Sequence, residues 1–420
     1  MSDAKNEAGA SSSRDVRMRG FASRSTVQQA WDWVDGNCHS LESEVVPLER
    51  ATGRVLAAGV ISDIDVPPFD RAAMDGFAIL AHETMGASDY NPLPFNVIGD
   101  ARPGREFEGK VVSGTTVRIT TGAPMPQGAD AVVPAEYARD SGDSVELTTS
   151  VPTEKHIGRQ GEDVKQGAVV LSKGHRLRPQ DAGVIAAIGR AGVTVVRRPR
   201  VRLLLTGNEL VSPGNERQPH QIYEANSYLL RGLIDRDGGE LVEVVRLQDD
   251  RESIAAALQA PGADVILISG GSSVGAEDYA PILVAELGTL AIHGIAMRPS
   301  SPAGMGTIGG AQVFLLPGNP VSCLCAYDFF AGRAIRLLGG RSKEWPYQMV
   351  TLPLARKIAS SVGRVDYCRV KVTEEAVEPI ALSGASILSS AVRADGFVIV
   401  PENSEGAAAG TLVDVYLWSK

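Results

Sequence analysis

Three short segments combine carboxylates, hydroxyls and glycines in a way suited to a phosphorylated ligand. Thr206-Gly207-Asn208-Glu209 follows the apolar run VRLLL, Ser269 to Asp278 (SGGSSVGAED) follows DVILI, and Pro317-Gly318-Asn319-Pro320 follows VFLL. In SGGSSVGAED, glycines such as Gly270, Gly271 and Gly275 allow close backbone approach and let successive N–H groups converge on an anion. Ser269 and Ser273 add hydroxyl donors, and a helix beginning after the loop would add partial positive charge. Glu209 and Asp278 would repel a bare phosphate, but carboxylates beside a phosphate site make sense when a divalent cation lies between. Any one of these loops reads equally well as a tight strand-to-helix turn. Three of them on one sheet edge point to a ligand site, because ligands of open α/β sheets bind outside the carboxyl ends of the strands.

Two further clusters lie upstream. Asp63, Asp65, Asp70 and Asp75 fall within thirteen residues around Pro67-Pro68, and Arg118 to Asp130 carries the run TTGAPMPQGAD. By composition alone each is a polar, proline-stiffened turn. Other chemistries are excluded more firmly. The six histidines show no HxH or HExxH spacing, and His293 reads as structural. The chain has no Walker A lysine motif, which argues against a P-loop NTPase.

Positioning the three loops requires a parallel sheet. From residue 201 to about 340, the strand-like runs VRLLLTG, LVEVVRL, ADVILISGG and QVFLLPG alternate with helical segments, ending in PVSCLCAYDFFAGRAIRLLGG. Near-continuous apolar strands with helical connections imply a doubly wound α/β domain covered on both faces. Upstream, after a helical segment near residues 26–41, short β-branched runs alternate with Gly, Pro and Asp, the signature of a β-rich lobe. One helical segment, PQDAGVIAAIG, interrupts it. From about residue 345 onward the texture is all-β, which suggests a small barrel or sandwich.

The expected organisation of the 420 residues is therefore a disordered tail at 1–20, a linker and β-rich lobe at 21–200, an α/β domain at 201–343 and a C-terminal β-barrel at 344–420. The net charge of −9 withholds the broad positive field that nucleic-acid binding needs. Four cysteines without a disulfide-type framework fit a reducing, cytoplasmic setting. No apolar run approaches the ~18 residues of a membrane span, and the N-terminus lacks a signal-peptide core.

The segments PPFDRAAMDGFAI, RITTGAPMPQGADAVVPAE, GRQGEDV, LLLTGNELV, ISGGSSVGAEDY, AMRPSSPAGMG and LLPGNPVS, in this order from Val66 to Val321, together resemble the MoeA family of molybdopterin molybdenumtransferases, to which the C-terminal domain of gephyrin also belongs. The resemblance implies an elongated four-part chain that forms homodimers, with the active site between the α/β domain of one subunit and the β-rich lobe of the other. It implies insertion of molybdate into adenylylated molybdopterin with release of AMP, assisted by Mg2+. An upstream molybdopterin adenylyltransferase and downstream molybdoenzymes would be its partners, without nucleic acid or membrane.

Carried over residue by residue, the resemblance assigns Glu209, Asp249 and Asp278 to the cation, and Asp75, Thr121 and Asp163 to catalytic positions of the β-rich lobe. Ser269, Gly270, Gly271, Ser273, Gly275, Arg298 and the loop Pro317, Gly318, Asn319, Pro320 would bind the pterin substrate. Arg298, Ser301, Arg364 and Ser386 would bind the oxyanion, since molybdate is a tetrahedral dianion that needs Arg, Ser and N–H donors. Two departures stand out. Ser300-Ser301-Pro302 replaces the family's Gly-Lys-Pro, and Gly384-Ala385-Ser386 replaces its Gly-Ser. Both touch oxyanion handling. Two other readings share these motifs: a paralogue that uses another oxyanion such as tungstate, and a non-catalytic dimeric scaffold.

Overall fold

Apolar alternation along the chain resolves into three six-stranded sheets. The computed structural model describes residues 24–271 and 278–418. It divides into two units, Val45–Val195 and Met1–Glu44 with Val196–Lys420.

The first helix, α1 (Val27–Asn37), opens with a reciprocal cap: Thr26 Oγ1 accepts from Gln29 N at 3.1 Å and Gln29 Oε1 accepts from Thr26 N at 2.9 Å. Its buried stripe, Val27, Ala30 and Val34, belongs to the same core as Val201 and Leu203 of the α/β domain. This explains why residues 24–44 group with the α/β unit and not with the β-rich lobe as expected.

In the lobe, strands β1 (Gly76–Ile79), β2 (Leu93–Ala101), β3 (Thr115–Ile119), β4 (Ala131–Pro134), β5 (Ala138–Asp140) and β6 (Ser144–Leu147) form a mixed sheet of order β4-β1-β3-β2-β6-β5. Side chains alternate across it. Phe77, Ile79, Val133 and Leu147 fill one core, while Ala78, Val117, Ile119 and Val132 fill another. Helix α2 (Pro179–Ala187), where PQDAGVIAAIG predicts one, buries Ile185 in a third core with Leu56 and Val195.

The α/β domain is built from β7 (Arg200–Thr206), α3 (Asn226–Asp237), β8 (Glu240–Leu247), α4 (Arg251–Gln259), β9 (Val265–Ser269), α5 (Ala280–Leu287), β10 (Thr289–His293), the short β11 (Met297–Arg298), β12 (Gly304–Ile308) and β13 (Ala311–Leu316). Its sheet runs β8-β7-β9-β13-β12-β10. The first four strands are parallel, so the ends at Leu247, Thr206, Ser269 and Leu316 lie on one edge. Leu203, Leu267 and Phe314 face α3 and the following helices, while Leu204, Ile268 and Leu315 face α4 and α5. Both faces are covered, as the continuous apolar runs imply. The sheet is not wholly parallel, however. β12 and β10 add an antiparallel edge, and the glycines of GMGTI in β12 do not read as a strand.

The apolar segment after β13 forms α6 (Pro320–Ala326), a π-helical turn (Tyr327–Ala331) and α7 (Gly332–Leu338). The C-terminal sheet comprises β14 (Gln348–Pro353), β15 (Val365–Val372), β16 (Val377–Ala381), β17 (Gly396–Val400) and β18 (Leu412–Leu417), with β11 joining its edge beside β15. A bridge between Leu354 and Val377 curls the sheet back toward closure. It does not separate from the α/β domain: Trp345 meets Phe329 at 5.1 Å and Phe397 at 5.6 Å, and Trp31 of α1 stacks on Phe329 at 5.9 Å.

Candidate functional site

The parallel strand ends gather four loops around a cleft of about 790 Å³, within the size range of ligand pockets. Glu209, Asp249 and Asp278 all line it, together with Ser269, Gly270, Gly271, Pro317, Gly318, Asn319 and Pro320. The predicted Ser273 and Gly275 lie outside the described residues. The glycines are dictated by close approach. Gly270 has φ +99°, and a Cβ there would fall 2.3 Å from the Thr206 carbonyl oxygen. Gly318 passes within 3.5 Å of Gly270 when given a Cβ, so the β9 and β13 loops are packed against each other.

The electrostatics of this cleft are one-sided. Among the described residues, four carboxylates line it, the fourth being Glu224, and no Lys, Arg or His does. Burial pushes the Asp249 carboxyl up, and the nearby Glu209 and Asp278 charges add to that, against a 3.1 Å bond from Asn208 N. Among the described residues, no three His, Cys, Asp or Glu side chains converge closely enough to hold a metal ion between them. The predicted cation set thus shares a cleft without being drawn to a point.

Residues that escape sequence reasoning complete the floor. Asn226, at the start of α3, donates from Nδ2 to Ser269 Oγ at 2.9 Å and to the Gly318 carbonyl at 2.8 Å, tying two loops together. Its Oδ1 and the Thr206 Oγ1 are buried without a partner among the described residues. Glu224 accepts from Ser227 N at 2.7 Å and braces the same helix start. Only the polar helix opening EANS hints at them.

A second cleft, about 780 Å³, adjoins the first along Pro302, Pro317 and Asn319, which line both. Its charge is opposite. Arg298 and Arg364 line it with Ser301, and Arg24 joins them. Arg24 is brought there because Ser25 pairs with the 294–296 segment, its N–H donating to Gly294 O at 3.0 Å. The Ser301 Oγ and the Arg298 Nε are buried with no partner among the described residues. Ser386 lines the acidic cleft instead, one residue beyond Ala385, which lines the basic one. The Ala385 carbonyl accepts from Val321 N at 2.9 Å, holding this segment against the start of α6.

Within the lobe, Asp75 and Thr121 are paired. The exposed Asp75 carboxylate accepts from Thr121 N at 2.6 Å and Thr121 Oγ1 at 2.8 Å, bonds that hold it below its usual range. Asp163 is exposed, its backbone N–H bonded to Val66 O. The other three aspartates of that cluster are engaged locally: Asp63 with Arg190, Asp65 with Gln160 and Gln166, and Asp70 with Arg159 and Gln160. All four cysteines are free and buried, and burial pushes the Cys323 thiol up to about 12, so none is poised as a nucleophile.

A doubly wound domain with an acidic strand-end cleft, joined to a C-terminal β-sheet that helps build a basic one, defines a multidomain protein for handling an anionic ligand. Family models narrow this class. "MoeA N-terminal region (domain I and II)" matches residues 25–189, "Probable molybdopterin binding domain" residues 202–336, and "MoeA C-terminal region (domain IV)" residues 351–418. The chain is 35% identical to molybdopterin molybdenumtransferase 2 of Mycobacterium tuberculosis, over 88% of this chain and 94% of that one. It is 31% identical to the molybdopterin molybdenumtransferase of Haemophilus influenzae, over 89% and 93%. The crystal structure of a molybdopterin biosynthesis MoeA protein from Pyrococcus horikosii matches with a TM-score of 0.80 at 34% identity, covering 95% of this chain and all of that one. The chain belongs to the MoeA family.

Proposed function

We propose that this protein is a molybdopterin molybdenumtransferase, which inserts molybdate into adenylylated molybdopterin and releases AMP in molybdenum-cofactor synthesis. The observation that carries this reading is the pair of adjoining clefts of opposite charge. A pterin nucleotide with a pyrophosphate link suits the acidic cleft only if a cation accompanies it, and an oxyanion suits the basic one. The donor set fits magnesium: carboxylate oxygens are the hard ligands it takes, and among the described residues no cationic side chain lines the cleft to do its work. Glu209, Asp249 and Asp278 would hold it. Bound there, magnesium would neutralise phosphate charge as the P–O bond breaks.

The chain's own groups do the rest by positioning. Ser269 and the Gly270-Gly271 backbone receive phosphate oxygens, and the Pro317–Pro320 loop walls the ligand. Arg298, Arg364 and Ser301 donate to molybdate, while Ser386 stands at the junction. Ser301 offers a hydroxyl without charge, and Arg24 supplies a guanidinium to the same cleft. No covalent nucleophile is required. We place Asp75, Thr121 and Asp163 in the reaction through a homodimer. In the same proposal the substrate comes from an adenylyltransferase, the product passes to molybdoenzymes, and the setting is cytoplasmic. Among the described residues, no helix is long and apolar enough to cross a membrane.

Asp278→Asn tests the reading. It should abolish AMP release from adenylylated molybdopterin while the protein stays folded. Turnover that survives the substitution would remove the acidic cleft from the chemistry.

A further inference from the structure

Asp366 lies at the root of the basic cleft without lining it, its side chain fully buried in β15. Its Oδ2 accepts from Arg298 Nη2 and, at 2.7 Å, from Ser360 Oγ. Its Oδ1 accepts from Arg364 Nε at 3.1 Å. The two arginines keep 31% and 33% of their side chains exposed, and both line the cleft. Two guanidiniums directed into one partly dry cleft repel each other and would splay toward water. A carboxylate between them offsets that repulsion, and because each guanidinium is a rigid fork, the bond also fixes how it faces the cleft. The charge balance is suited to the ligand. Two arginines and one aspartate leave a net single positive charge, and Arg24 raises it to two, matching a tetrahedral dianion.

The backbone reinforces this arrangement. Arg298 stands opposite Asp366 in the parallel pairing of β11 with β15. One buried carboxylate therefore joins β11, which lies between β10 and β12 in the chain, to β15 of the C-terminal sheet, at the place where both contribute an arginine. Ser360 belongs to the same C-terminal region and braces the Oδ2 that Arg298 uses.

We infer that Asp366 is the positioning residue that makes Arg298 and Arg364 a single oxyanion clamp, acting through them and never on the substrate. The inference rests on the reading of the basic cleft as the molybdate site. The experiment measures molybdate dependence of AMP release, and separately the binding of adenylylated molybdopterin, for full-length Asp366→Asn, Ser360→Ala and Arg364→Ala. Asp366→Asn should raise KM for molybdate about tenfold, lower kcat at saturating molybdate by less than about threefold, and leave pterin-nucleotide binding unchanged. Ser360→Ala retains the carboxylate and removes one bond, so it should raise that KM roughly two- to fivefold, and it provides the answer if Asp366→Asn does not fold. A lowered melting temperature and kcat with no movement of the molybdate KM in either variant, while Arg364→Ala raises it, would overturn the positioning role. A molybdate KM unmoved by Arg364→Ala would instead remove the oxyanion site itself.

Discussion

Asp249 stands where burial and two neighbouring carboxylates all oppose its negative charge. A protein does not keep such crowding for stability, since like charges gathered in a partly buried cleft cost free energy. Asp249→Asn should therefore leave the melting temperature of the ligand-free protein at pH 7 unchanged or higher, while cutting magnesium-dependent AMP release by about a hundredfold or more. Differential scanning fluorimetry and the AMP assay, run on the same preparation, check both halves. A destabilised but active variant would contradict the assignment. At this scale, legibility followed chain distance. Glu209 and Asp278 could be read because each follows its own apolar strand, and Asp249 because the family motif places it in the same manner. Asn226, Asp366 and Arg24 could not, because at least one contact that gives each its role arrives from 43 to over 250 residues away, as in the bond of Asn226 to Ser269, of Arg298 to Asp366 or the pairing of Ser25 with Ile295.

Helix α2 shows how an element is secured in the β-rich lobe. Asp181, near its N-terminus, is buried and accepts from Arg178 N at 2.7 Å, Arg178 Nη2 at 2.9 Å and His175 Nε2 at 2.7 Å. The Arg178 guanidinium, with the other bonds, holds its carboxyl well below the usual range. A carboxyl with a lowered folded pKa stabilises the fold above its unfolded value near 4 and loses that contribution as pH falls. Asp181→Asn should cost about 1–2 kcal/mol at pH 7, with Arg178 largely in water, and the difference from the parent should shrink as pH drops below ~4. Chemical denaturation at several pH values between ~7 and ~2 would show the difference narrowing toward the acid end; a difference constant across that range would mean that charge plays no part. Elements themselves were legible where the period was clear. Continuous apolar runs marked the four parallel strands, and α2 opened as expected at Pro179. β12 was not legible, because a strand with glycine at 304 and 306 is set by close approach to its neighbour β10: a Cβ on Gly306 would meet Thr289 O at 2.0 Å.

At the scale of the molecule, composition indicated several cores but not which segments share them. The β-rich lobe owns three, built entirely from residues 46–195. Expressed alone, residues 43–196 should fold and melt cooperatively, its ends paired by Ser43–Pro47 and Gly192–Val196. A fragment lacking near-UV circular dichroism would contradict an independent core. The C-terminal strands differ, since the aromatic group of Trp31, Phe329, Trp345 and Phe397 joins them to the α/β domain. The boundary expected near residue 343 is thus a change of texture within one packed unit.

The central claim is that adjoining acidic and basic clefts bring a pterin nucleotide and an oxyanion together. Its most direct test is AMP release from adenylylated molybdopterin by the full-length protein with magnesium, with and without molybdate. The account predicts release that depends on molybdate. A folded protein that binds the pterin nucleotide yet releases no AMP, or releases it at the same rate without molybdate, would contradict it.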